Sequence, residues 1–115
     1  MPKIYLSPST QDWNMYVTGS GSEEYNMNLL ADALVPYLLS NGIQYQRNRP
    51  EMTAGSSIRE ANQGEYDLYL ALHSNAAPEG RYGEERGIIA FYYPGSVGGQ
   101  RAAELIAQEL RKIYP

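Results

Sequence analysis

Five consecutive apolar residues, Leu68, Tyr69, Leu70, Ala71 and Leu72, lie between Gly64 and Pro78 and run straight into His73, the one histidine of the chain. A short, unbroken apolar run bounded by turn-forming residues is the pattern of a strand buried on both faces, which in turn requires neighbouring strands and covering helices. His73, Ser74 and Asn75 then fall at the carboxyl end of that strand. In open α/β sheets the loops diverge there and leave a crevice in which ligands bind. An imidazole at this point serves either as a functional group or as a satisfied, partly buried side chain, so the rest of the chain has to decide between them.

Upstream, residues 3–7 (KIYLS) predict a first strand with Ile4 and Leu6 on one face and Tyr5 on the other, ended by Pro8, which cannot donate to a sheet ladder. Residues 9–22 are dense in Ser, Thr, Asn, Asp and Gly and predict a loop leaving that strand. A helix is predicted over 22–40, with Met27, Leu30, Ala31, Leu34 and Leu38 as its apolar stripe, Pro36 as a misfit and Asn41-Gly42 as its stop. Ser20 stands three residues before Glu23, the spacing of a capping box, which gives Glu23 a structural role; a frame one residue later would make Gly21 the cap and Glu24 the box residue. In the first frame Glu24, three residues before Met27, continues the buried stripe. A carboxylate there needs a partner, and a metal ion is one candidate.

Residues 43–47 predict a second strand, 49–55 a connecting turn and 56–63 a short helix leading to the apolar run, which is expected to be the central strand. Residues 74–86 read as a loop whose Glu79, Glu84 and Glu85 form a solvated face. Residues 87–93 (GIIAFYY) predict another strand, and 97–114 a final helix with Ala102, Ala103, Ile106, Leu110 and Ile113 on its inner face. Strand and helix alternate. The expected fold is a single α/β domain over 1–115, a three-layer α/β/α arrangement with a mostly parallel or mixed sheet flanked by helices; right-handed crossovers make its first three strands parallel.

Composition narrows the function. A net charge of −4 without a basic cluster argues against nucleic acid, and no stretch approaches the roughly 20 apolar residues of a membrane-spanning helix. With no cysteine, thiol catalysis and thiolate metal sites are excluded. The N-terminus lacks the basic and apolar regions of a signal peptide. Eleven tyrosines suit either a sugar- or peptide-binding surface or simply a tyrosine-rich sheet face.

The loop after the first strand, the start of the first helix with Glu24, and His73 all converge on one edge of the predicted sheet. A histidine and a glutamate meeting from two loops fit a catalytic zinc site of the His and Glu kind. In order along nearly the whole chain, the residues resemble the zinc-dependent N-acetylmuramoyl-L-alanine amidases of the amidase 3 type. Glu24 followed by Asn28 and Leu29 matches the family's metal-binding glutamate and its helix, and Arg59 with Ala61 and Asn62 matches an arginine on a short helix ending in Ala-Asn. His73-Ser74-Asn75-Ala76 matches the family's His-Ser-Asn-Ala, and an aromatic strand follows Gly87.

The resemblance implies a peptidoglycan hydrolase of the cell wall or extracellular space. Its substrate is the amide between N-acetylmuramic acid and L-alanine, with zinc held by Glu24, His73 and Gln11 and substrate bound by Asn75 and Arg59. Two departures stand out. Leu6-Ser7-Pro8-Ser9-Thr10-Gln11 replaces the family's Leu-Asp-Pro-Gly-His-Gly-Gly turn, so its first histidine is missing and Gln11 or Asp12 is what remains nearby. The family's catalytic glutamate would fall beyond Pro115, so the chain reads as an incomplete copy. It is expected to cleave peptidoglycan poorly and to self-associate through an open sheet edge. A cell-wall-binding module without catalysis is the competing class.

Overall fold

The structure is a computed structural model that describes residues 2–16, 19–74 and 88–113. Its elements run β1 (Lys3–Pro8), α1 (Glu23–Ser40), β2 (Gln44–Arg47), α2 (Ala54–Gln63), β3 (Leu68–Leu72) and α3 (Val97–Leu110). The chain divides into two compact units, Met1–Ser74 and Asn75–Pro115.

The first unit is an α/β fold built on a three-stranded, all-parallel sheet in the order β2-β1-β3. Alternation along β1 sorts its side chains between two faces. Ile4 and Leu6 form the buried core with Ala31 and Leu38 of α1, joined by Leu34, Val35, Ile43, Leu68 and Leu70. Tyr5 and Ser7 point the other way, toward α2: the Tyr5 hydroxyl donates to Glu60, and Ser7 is joined to Ser57 through the Asn48 amide. The two helices therefore cover opposite faces. The path steps from β1 to β2 with α1 on one face, then reverses across β1 to β3 with α2 on the other. That reversal puts a topological switch point between the carboxyl ends of β1 and β3.

Local sequence explains the element ends. Ser22 caps α1 by accepting a hydrogen bond from the Tyr25 amide, and the helix runs on through Pro36 to Asn41. Gly42 follows at φ +73°, a conformation that costs a side-chain-bearing residue dearly. Thr53 and Ser56 form a reciprocal capping box, which starts α2 at Ala54 rather than at residue 56.

Several expectations are corrected. The central strand is β1, not β3: Tyr5 and Leu6 are fully buried, whereas Ala71 is exposed and the other β3 residues are half-buried. Among the described residues β3 has a strand partner on one side only, so it is an edge strand, and its residues are less covered than those of β1. The α1 cap is Ser22, not Ser20 or Gly21, so neither capping frame read from the sequence applies. Residues 88–93 carry no strand, and Gly87 lies outside the described residues. An apolar, β-branched and aromatic run becomes a strand only where a neighbour accepts its ladder, so its propensity did not suffice.

In the second unit Ser96 caps α3 by accepting from the Gly99 amide. The helix buries Ala103 and Ala107 and half-buries Ala102, Ile106 and Leu110. It ends at Leu110, leaving Ile113 in the following turn, 75% exposed, where an inner-face residue was expected.

Candidate functional site

At the carboxyl end of β1 the chain turns sharply. The Ser9 amide donates to the Leu72 carbonyl, tying the exit of β1 to the end of β3, and the Ser9 hydroxyl accepts from the Gln11 amide. Met15 then bridges to Ser22, and the Glu23 amide donates to the Asn14 carbonyl at 2.8 Å. These bonds lay the start of α1 beside the end of β3. Glu23, the first residue of the helix, is 1% exposed.

A buried carboxylate is costly unless its oxygens find partners. Glu23 Oε2 lies 3.1 Å from His73 Nδ1, and Glu23 Oε1 accepts from the Asn14 side-chain amide at 3.4 Å. The same Asn14 amide donates to Gln11 Oε1 at 3.3 Å. His73 keeps 43% of its side chain exposed, so the pair has a buried end and a solvent-facing end. Next to it, Ser74 and Tyr16 share a short hydroxyl hydrogen bond that joins the two loops a second time.

Beneath the site lies a second polar layer. The Asn48 amide nitrogen donates to Ser7 Oγ (3.2 Å), the Pro8 carbonyl (3.1 Å) and Ser57 Oγ (3.2 Å), and the Tyr69 hydroxyl donates to Ser7 Oγ at 2.8 Å. Asn48 and Ser57 are buried. This layer fixes the last residues of β1, from which the Gln11–Asn14 loop hangs. Among the described residues no buried side-chain nitrogen or oxygen lacks a partner.

The structure brings Gln11 and His73 together through Asn14 and Glu23. The carboxylate facing His73 belongs to Glu23, at the position where the sequence reading expected Glu24. Glu24 turns instead toward a surface groove shared with Asn28, Asp32 and Arg47, where Arg47 is already held by Asp32 (2.6 Å) and Asn28 Oδ1 (2.7 Å). Arg59 is exposed on α2, with its guanidinium lying back toward Gly55 one turn earlier. Asn75 lies outside the described residues. Asn14 and Tyr16 escaped the sequence reading because isolated polar residues in a loop carry no periodic signal.

The donor set can be weighed against the zinc ion that the family resemblance implies. Carboxylate oxygen and imidazole nitrogen are both zinc ligands, and two donors on one tetrahedral ion at about 2.0–2.1 Å lie about 3.3–3.4 Å apart. The Glu23–His73 separation of 3.1 Å is close to that value. Gln11 adds a neutral amide oxygen. Among the described residues no three His, Cys, Asp or Glu side chains group closely enough to share an ion. Glu23 and His73 are thus two donors of the kinds zinc takes, while the Gln11 amide oxygen is engaged by Asn14.

A scan of protein-family models and searches of curated proteins and of solved structures returned no match to this chain.

Proposed function

We propose that the chain is a zinc-dependent peptidoglycan hydrolase that acts on the amide between N-acetylmuramic acid and L-alanine in the cell wall, outside the cytoplasm. The observation that carries the proposal is the buried Glu23 carboxylate set against a half-exposed His73 at the β1/β3 switch point. Zinc, when bound, polarises a carbonyl and makes water nucleophilic near neutral pH. In this reading Glu23 and His73 hold the ion and Gln11 supports it. Asn14 keeps Glu23 and Gln11 in register, and the Tyr16–Ser74 contact holds the two loops at a fixed spacing. Arg59 and Asn75 remain the residues proposed to bind substrate.

The test is turbidity loss and release of L-alanine N-termini from purified cell walls. Hydrolysis that stops with a chelator, returns with zinc, and falls on the order of 10²-fold or more in Glu23→Ala and His73→Ala supports the reading. Hydrolysis indifferent to the chelator contradicts it. A second reading, a cell-wall-binding module without catalysis, is favoured by the weak third donor, Gln11. It predicts sedimentation of the chain with intact walls and no release of N-termini.

Self-association belongs to the same proposal. β2 and β3 each have one strand partner among the described residues, and an unpaired sheet edge is a template for a second chain. Sedimentation velocity should show a concentration-dependent dimer, and a single monomeric species at high concentration would contradict it. No helix among the described residues is long and apolar enough to cross a membrane.

A further inference from the structure

The loop that carries Gln11 and Asn14 to the site also presents Trp13, the single tryptophan of the chain, at 73% exposure. Tryptophan offers more apolar surface than any other side chain and is usually well covered, so leaving it open needs a reason. Slack in the loop does not supply one. On either side of Trp13 the backbone is tied down, by Asp12 to Thr10, Asn14 to Gln11 and Glu23 to Asn14, and by the Met15–Ser22 bridge. Nor does distance from the site, because the next residue, Asn14, touches Glu23.

We propose that Trp13 is the stacking platform of a saccharide subsite beside the Glu23–His73 pair, and that it takes an N-acetylated pyranose of a glycan strand. The identity of the glycan rests on the function proposed above; the platform itself does not. The face of a pyranose carries several C–H groups with partial positive charge, complementary to the negative face of an indole. Its rim of hydroxyl and acetamido groups needs hydrogen-bonding partners, and Trp13 is flanked by Asp12 and Asn14 with Gln11 close behind. A protein partner is the poorer match. A stable protein interface buries about 800 Å² on each side around an apolar centre, whereas within residues 9–16 Trp13 and Met15 are the large apolar side chains left exposed.

Because the chain has one tryptophan, its emission reports on this position alone. Titrating the full chain in chelator with tetra-N-acetylchitotetraose should shift or quench that emission in a saturable way, and cellotetraose should not. By calorimetry, Trp13→Ala should weaken binding roughly 3- to 10-fold and Trp13→Phe less, the range expected for one stacked ring. Neither change should alter the circular dichroism spectrum, since the side chain is mostly solvated. Unchanged emission at millimolar oligosaccharide, or equal affinity in Trp13→Ala, would overturn the proposal. Equal binding of cellotetraose would overturn the N-acetyl assignment. Because the titration is run without zinc and without turnover, loss of the hydrolase reading leaves its outcome readable.

Discussion

Tyr5 shows how one side chain on the central strand ties two structural layers together. Its ring is stacked on Tyr69 (centroids 5.5 Å apart, planes 4° from parallel) and meets Tyr66 edge-on, and its hydroxyl donates to Glu60 at 2.9 Å. Burial, and then the Glu60 contact, pushes the phenol well above its ordinary value of 10.0. In return the Tyr5 hydrogen bond, followed by the hydrogen bond and charge of Arg49, holds the Glu60 carboxyl below its ordinary 4.5. The two shifts act at opposite ends of the pH scale. Above pH 4.5 the folded chain gains from keeping Glu60 ionised, and that gain fades as pH falls below 4.5; Tyr5 keeps its proton where the unfolded chain would lose it, so stability declines as pH rises past 10.0. Tyr5→Phe should flatten both limbs of a stability-versus-pH curve measured by thermal unfolding, and an unchanged acid limb would contradict the coupling. Asn48 makes a stronger residue-scale prediction. Asn48→Ala leaves Ser7, Ser57 and the Pro8 carbonyl without their shared donor, and should cost about 1–3 kcal/mol in urea unfolding.

At the scale of elements, the start of α1 decides which carboxylate faces the site. The stripe read from the sequence included Leu30, and extending it backwards favoured Glu24. Leu30 is 48% exposed, while Glu23 and Ala31 are buried and Met27 between them is half-buried, so the packed line runs through 23, 27 and 31. Glu23 and Glu24 both satisfy helical spacing to Met27, at four and three residues. Only contacts with the sheet, which are not local in sequence, choose between them. Much else was legible: β3 was read with its observed bounds, β1 and β2 within a residue, and the parallel pairing followed from the right-handed crossover rule. The strand order was not legible, because it depends on which side of β1 each crossover takes. Ser22→Ala should cost about 1 kcal/mol by removing the acceptor for the Tyr25 amide. It should also disturb His73, and an imidazole NMR resonance unchanged in that variant would contradict the link between cap and site.

The whole first unit turns on bringing residues 50 apart in sequence to one point at the switch between β1 and β3. The strands set the distance, Ser9 and Asn48 fix the exit of β1, and Ser22 sets the helix frame that aims Glu23 inward. In the proposed function Glu23, rather than its neighbour Glu24, holds zinc with His73. Zinc titration by calorimetry on the wild-type chain, Glu23→Ala and Glu24→Ala separates the two carboxylates. Zinc affinity is expected to fall about 10²-fold or more in Glu23→Ala, since even residues that only support a ligand are worth 10- to 100-fold, and to change little in Glu24→Ala. A collapse of affinity in Glu24→Ala, with Glu23→Ala still binding as the wild type does, would contradict it.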